Sequence, residues 1–379
     1  MKKHVYVGMS GGVDSSVTAA LLIEQGYKVT GVFMKNWAQD LPGFKCPWRE
    51  DLADAKRVAV QLGIPFKVYD FQDQYKQKVV DYMISEYEAG RTPNPDIMCN
   101  QEVKFKLFLE TALEDGADMI ATGHYAQITD STNPKDQNSK HDQRPTANEL
   151  SPHYSLHTAA DANKDQTYFL YRITEDALSK TLFPLGEMTK PEVREKAKEL
   201  GLITAEKKDS VGICFVGEIG IKEFLQNFVS STSGDIIEKS TGKVVGQHEG
   251  AIFYTIGQRH GLGVGGGLPY YVIGKDMSKN QVYVSSDLND PDIWRSEVTL
   301  TDLHWTDQPP VTANDQPATT NDTLYLRVRH RGPLIPVESV TMHDNNCTVR
   351  LTEEVRAIAP GQSGVFYQNE ICLGGGILL

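Results

Sequence analysis

Long apolar runs are missing from this 379-residue chain. None approaches the roughly 20 consecutive residues that a membrane-spanning helix needs. After Met1-Lys2-Lys3 the apolar stretch at 5–8 is too short for a secretory leader. The expectation is a cytoplasmic protein with no membrane partner. Cysteine is scarce. Cys46, Cys99, Cys214, Cys347 and Cys372 are too scattered for a disulfide framework, and no spacing suits zinc, so no metal site is expected. In a reducing compartment, thiol chemistry would be catalytic rather than structural. Positive charge is also short: 38 Lys and Arg against 50 Asp and Glu leave a net charge of -12. That weighs against a general nucleic-acid coat, which draws on Lys and Arg to meet phosphates. A local basic face would still suffice for RNA.

What is present reads as an ordinary globular chain, 40% apolar and 23% charged, long enough for two or three domains. Short apolar strands at 5–8, 28–34, 66–69 and 119–124 alternate with helical patterns at 17–25 and 52–62, each closed by glycine. This alternation predicts an α/β fold, a doubly wound parallel sheet covered on both faces. Residues 130–151 are polar and carry Pro134 and Pro145, which reads as a mobile inserted loop. A helix over 190–200 has Thr189 as its cap and Pro191 in its first turn. From about 234 the chain changes to short strands between Gly and Asn turns, including 243–245, 251–256, 270–274 and 281–284. From 298 onward it reads as a small β-barrel. The expected division is 1–222, a small central β-rich domain at 223–292, and a barrel at 293–379.

One string carries chemistry by itself. Ser10-Gly11-Gly12-Val13-Asp14-Ser15-Ser16 follows a strand and opens a helix. Glycines let the backbone approach phosphate, and the helix N-terminus offers free amides at the positive end of its dipole. The hydroxyls can donate to phosphate oxygens, and Asp14 could hold magnesium. No lysine stands where a Walker loop requires one. The loop therefore suits pyrophosphate as a leaving group better than γ-phosphoryl transfer. The plain alternative is a tight capped turn.

Two cysteines stand apart from the other three. Cys99 follows Pro93 and Pro95 and precedes an amphipathic run, so it lies near a helix N-terminus, where the dipole favours thiolate. Cys214 sits between Gly212 and Gly217. Either cysteine alone reads equally well as a small buried apolar side chain; polar, turn-like surroundings distinguish this pair. His124 follows a strand end, where ligand contacts gather. Lys164-Asp165-Gln166 precedes an aromatic stretch at 168–171, read as a strand. Arg327, Arg329 and Arg331 alternate along a strand pattern with His330 among them, which would place the three arginines on one face.

The phosphate loop, Thr92-Pro93-Asn94-Pro95-Asp96, Cys99-Asn100, Thr122-Gly123-His124-Tyr125, Asn163-Lys164-Asp165-Gln166, Gly212-Ile213-Cys214-Phe215 and Pro360-Gly361-Gln362-Ser363 occur in that order. As an ordered set they resemble the tRNA-specific 2-thiouridylase family (MnmA-type) of the PP-loop ATP-pyrophosphatases. The resemblance runs from the first strand to Leu379, with the 130–151 insertion as its departure. It implies that ATP, with Mg2+ as counter-ion, adenylates the C2 oxygen of the wobble uridine in tRNAs of the Lys, Glu and Gln anticodon type. It implies nucleotide contacts at Gly8, Met9, Ser10, Gly11, Gly12, Val13, Asp14, Ser15, Met34 and Gly123. Base or tRNA contacts are implied at Asn94, Pro95, Asp96, His124, Lys164, Asp165, Gln166, Arg329, His330 and Gln362. Cys214 would carry a persulfide from a sulfur-carrier protein or cysteine desulfurase. Cys99 would be its partner thiol, attacking the persulfide or resolving the intermediate, with a Cys99–Cys214 disulfide after turnover. Asp96 would act on a uridine proton or bond the base edge. A PP-loop amidotransferase is the alternative within enzymes, but it needs a glutamine-hydrolysing domain or an ammonia tunnel and leaves both cysteines unexplained. A catalytically silent RNA-binding protein is the alternative outside them.

Overall fold

A computed structural model describes residues 2–42, 46–132, 153–208, 220–265, 269–306 and 323–379. β1 (His4–Gly8) and β2 (Lys28–Lys35) are buried almost throughout. Strands covered on both faces belong to a parallel sheet under helices. β3 (Phe66–Asp70) and β4 (Met119–Ala121) join that sheet. β5 (Gln127–Asp130) and β6 (Tyr154–His157) leave it, and β7 (Thr181–Leu182) returns. The order is β3-β2-β1-β4-β7, parallel at every pairing. The chain builds outward from β1 to β3, then crosses to β4 on the other side of β1. The loops after β1 and β4 therefore flank the point where strand order reverses, the place where such sheets bind ligands. α1 (Val13–Glu24) leaves the first of these loops and packs against the helix Lys190–Glu199. That helix starts as expected, with the Glu192 carboxylate accepting from the Thr189 amide and hydroxyl at 2.7 Å. α2 (Trp48–Gln61) covers β2.

Two of the strand expectations need correction. The aromatic stretch at 168–171 is a helical turn, Thr167–Leu170. Asp165 accepts from the Thr167 hydroxyl at 2.8 and 3.0 Å and so starts a turn there. Tyr168 and Tyr171, three apart, then both reach Ser363. In the central region the 251–256 stretch opens with a short 3-10 turn, Ala251–Phe253. The Ala251 amide donates to the Asn280 side chain at 2.9 Å, so it is not available to a neighbouring strand. The central sheet is β8 (Gly234–Glu238), β9 (Lys243–His248), β10 (Tyr271–Asp276) and β11 (Gln281–Ser285), ordered β10-β11-β8-β9. Its core is Ile236, Val272, Val282 and Val284.

The C-terminal strands are β12 (Trp294–Trp305), β13 (Leu324–Arg327), β14 (Ile335–Met342), β15 (Asn346–Arg356), β16 (Ser363–Gln368) and β17 (Ile371–Leu378). They run β12-β15-β14-β13-β16-β17, and pairing of β17 with β12 closes them into a barrel. Gly374, at φ +128°, bends β17 with the backbone of His304 and Trp305 against it. A hairpin from the first half of the chain, β5–β6, docks on the same strand, with Leu156 opposite Cys372 and His157 opposite Ile371. The polar insertion lies between these two strands, and its residues 133–152 are outside the described ones.

Candidate active site

The loop after β1 is built by its hydroxyls. The Ser10 amide donates to Ser15 Oγ at 3.2 Å, and the Ser15 and Ser16 hydroxyls donate to the Gly12 carbonyl at 3.2 and 2.7 Å. Gly11 has φ +75°, and a Cβ there would strike the backbone carbonyl of Asp51 in the first turn of α2. The left-handed backbone alone costs a side chain about 1–2 kcal/mol. Gly11→Ala is therefore expected to weaken ATP binding about tenfold or more, read by titration calorimetry. Unchanged affinity would mean that the loop geometry is not what binds nucleotide.

The second wall of the crevice follows β4. A Cβ on Gly123 would stand 2.9 Å from the Ser15 amide nitrogen and the Asp14 carbonyl carbon, so glycine lets the two loops touch. The side chains of Met9 and Val13 are buried. Met34, at the end of β2, is buried beside Gly8; a Cβ on Gly8 would lie 3.1 Å from its methyl. Asp14 accepts from the Tyr125 hydroxyl at 2.8 Å and from Lys190 Nζ at 2.8 Å on both oxygens. In the sequence Tyr125 carries no role beyond its place in the 122–125 motif, and Lys190 none beyond opening a helix. One signal was available: a lysine opening a helix opposes the dipole and needs a local reason.

His124 is buried against Phe105 and Phe183. Its Nδ1 bonds the Thr122 hydroxyl at 2.7 Å, and Nε2 lies 3.4 Å from Lys104 Nζ. Burial, then the Lys104 charge, hold its pKa well below 6.5, so the ring is neutral. Lys104 belongs to a long helical rod over 95–114. The rod begins as Pro95–Met98, widens to i→i+5 turns over Cys99–Leu107 and tightens again at Phe108–Glu114. Wide turns of this kind gather at functional sites. Cys99 opens the wide stretch. Its setting is interior rather than polar and turn-like: it is fully buried in the cluster containing Ile97, Val103, Phe105 and Tyr168. Asn94 caps the rod, its Oδ1 accepting from the Asp96 amide at 3.1 Å, and Pro95 is buried. The rod reaches the phosphate loop through Lys104, His124 and Gly123 in turn.

Other candidate residues tie the elements together. Gln166 Oε1 accepts from the Tyr125 amide at 2.9 Å, while Lys164 sits in the preceding turn. Asp165 is buried; it accepts from the Ala159 amide at 3.1 Å and from Arg327 at 3.3 Å. Gln362 Nε2 donates to the Thr92 carbonyl at 2.7 Å, and the Thr92 amide donates to Pro360. The barrel thus grips the approach to Cys99 through both backbone groups of Thr92. The basic residues do not share a strand face. β13 ends at Arg327, which turns inward to Asp165 and the Tyr367 ring. Gly332 and Pro333 follow, and Arg331 has φ +58°, so Arg329 and Arg331 stand exposed on a turn. The His330 ring packs on Phe169 at 4.3 Å. Cys214 and the rest of 209–219 lie outside the described residues. Burial pushes the Cys347 thiol up to about 11 and Cys372 up to about 12, so both stay as inert thiols. Among the described residues no three His, Cys, Asp or Glu side chains gather as a metal site, and no helix is long and apolar enough to cross a membrane.

A lysine-free serine and glycine turn at the switch point of a parallel sheet defines a nucleotide-binding α/β domain of the PP-loop kind, here joined to a small β-domain and a closed barrel. Three family models match the chain in succession: a tRNA methyl transferase HUP domain over 3–218, a tRNA methyl transferase PRC-barrel domain over 222–286, and an aminomethyltransferase beta-barrel domain over 295–378. The tRNA-specific 2-thiouridylase MnmA of Methylobacillus flagellatus is 45% identical, covering 100% of this chain and 99% of that protein. The protein of the same name from Bacillus subtilis is 46% identical over 99% of this chain and 94% of its own length. The chain belongs to the tRNA-specific 2-thiouridylase family. Among solved structures, a 4-thiouridine synthetase–RNA complex with bound ATP aligns with a TM-score of 0.35 at 19% identity, covering 59% of this chain and 50% of that one. An NMN synthetase from Francisella tularensis aligns with a TM-score of 0.33 at 14% identity, covering 60% and 73%.

Proposed function

We propose that this protein is a tRNA-uridine 2-sulfurtransferase that uses ATP to exchange the C2 oxygen of the wobble uridine for sulfur. The observation that carries the reading is full-length identity of about 45% to 2-thiouridylases. The phosphate loop at the sheet's switch point, facing the rod that bears Cys99, gives it a chemical basis. ATP is a substrate whose phosphates meet the amides and hydroxyls of residues 10–16. Asp14 would be the residue to hold Mg2+ brought with ATP, and the ion would neutralise phosphate charge there. Adenylation turns the C2 oxygen from a poor leaving group into AMP. The terminal sulfur of a Cys214 persulfide then attacks C2, and AMP departs with the oxygen. The Cys99 thiolate attacks the inner sulfur, which breaks the S–S bond, leaves C2=S on the base and closes a Cys99–Cys214 disulfide. Asp96, half-buried in the rod's first turn, takes part in proton movement at the base. A sulfur-carrier protein or cysteine desulfurase supplies the persulfide, tRNAs of the Lys, Glu and Gln anticodon type are the substrates, and the setting is cytoplasmic. The domains are 1–222, 223–292 and 293–379, with the β5–β6 hairpin of the first docked on a strand of the third.

The test is ATP-dependent pyrophosphate release that requires unmodified tRNA, with mass analysis of the product nucleoside. Oxygen replaced by sulfur is the expected product. An added methyl group, as the family models' descriptions would have it, or amide transfer without tRNA, would replace this reading. Arg329 supplies a backbone contact to tRNA from its exposed turn. Arg329→Ala is expected to lower the slope of log affinity against log salt by about one unit. An identical slope in the variant would remove Arg329 from the RNA interface.

A further inference from the structure

The phosphate loop lacks the lysine that Walker loops carry inside their own sequence, yet the fold delivers one. Lys190 is only 8% exposed, and its ammonium lies 2.8 Å from both oxygens of Asp14. Asp14 is in the first turn of α1, directly after the glycines, and its side chain is 31% exposed. Lys190 opens its own helix, where a cation opposes the dipole, and it has been taken out of water. Both placements cost stability, so the position needs a reason. Asp14 compensates part of that cost, and Asp14 itself stands where incoming phosphate would meet a like charge. Tyr125 holds the same carboxylate through its hydroxyl, and the ammonium sits 5.9 Å from the centre of the Tyr125 ring. Lys190 is therefore fixed beside the phosphate loop by Asp14 on α1 and by Tyr125 in the loop after β4.

We propose that Lys190 is a phosphate-binding residue of this loop. It neutralises Asp14 in the empty protein and meets the pyrophosphate portion of the nucleotide when the site fills, doing from another helix what a Walker lysine does from within its loop. The inference rests on the ATP reading above but needs no tRNA and no sulfur chemistry. Binding of inorganic pyrophosphate to the full chain, followed by calorimetry with and without magnesium, tests it. Lys190→Met should weaken pyrophosphate at least about tenfold, which is about 1.4 kcal/mol. Adenosine, which has no phosphate, should bind Lys190→Met as it binds the parent, which guards against simple misfolding. Lys190→Arg should retain most of the pyrophosphate affinity. The double variant Lys190→Met with Asp14→Asn decides the role. Without magnesium, where Asp14 has no ion to hold, pyrophosphate stays weak there if Lys190 touches phosphate; if Lys190 only cancels the Asp14 charge, affinity returns and the proposal is overturned. Parent protein that does not bind pyrophosphate also overturns it. Parent protein that binds pyrophosphate through Lys190 but never thiolates tRNA would remove the proposed function and leave this inference standing.

Discussion

Cys214→Ser is expected to abolish thiolation of tRNA while leaving pyrophosphate release and tRNA binding close to the parent values. Serine is nearly isosteric with cysteine, but a hydroxyl cannot carry a persulfide, and in the proposed mechanism activation of the base uses the phosphate loop rather than this thiol. Cys99→Ser is expected to stop thiolation as well, while Cys214 still accepts sulfur from a donor. Because Cys99 is fully buried, its serine variant places a hydroxyl in the core, a change that costs about 1–3 kcal/mol when the group finds no partner. Cys99→Ala belongs beside it, since alanine loses the thiol without adding a polar atom. Mass spectrometry after incubation with a sulfur donor reads the outcome. A persulfide on Cys99 and never on Cys214 would reverse the two roles. Full thiolation by the Cys214→Ser and Cys99→Ala variants would mean that neither thiol takes part.

Asp165→Ala should destabilise the protein more than any other single change to a candidate RNA-contact residue. Its carboxylate holds the Thr167 hydroxyl, the Ala159 amide and Arg327, which is itself only 17% exposed. Removing one member of a buried pair leaves the other charge uncompensated, at a cost of about 3–5 kcal/mol. Asp165→Asn keeps an acceptor for Thr167 and Ala159 and should lose less. Urea unfolding followed by both fluorescence and pyrophosphate release would measure it. A midpoint unchanged in Asp165→Ala would show that the pair carries no net stability, and Asp165 would then be a tRNA contact alone.

The sequence made the local features legible and missed those formed by distant partners. The phosphate loop could be read because strand, glycines, hydroxyls and helix follow one another within seven residues. The parallel sheet could be read because short strands alternate with glycine-closed helices, and the barrel because its strands are separated by turns. Nothing near Asp14 announces Lys190, which arrives from another helix. Nothing near Asp165 announces Arg327, and the alternation of Arg327, Arg329 and Arg331 misled because glycine and proline end the strand at Arg327. The stretch at 168–171 has the aromatic content of a strand, but Asp165 starts a turn just ahead of it. Cys99 has polar, turn-like surroundings in the sequence because prolines and polar residues precede it; the packing of the rod against Tyr168 and its neighbours puts it inside.

The docking of β6 on β17 also sets a schedule for synthesis. From His157 to its partner Ile371 the ribosome must add 371 − 157 = 214 residues. At about 5–20 residues per second that is a wait of roughly 10–40 s. Throughout it the β5–β6 hairpin has no barrel edge to pair with, and unpaired edges invite pairing with other chains. A nascent chain stalled anywhere in that interval should be a preferred client of chaperones and proteases, and completion of β17 is what ends that exposure.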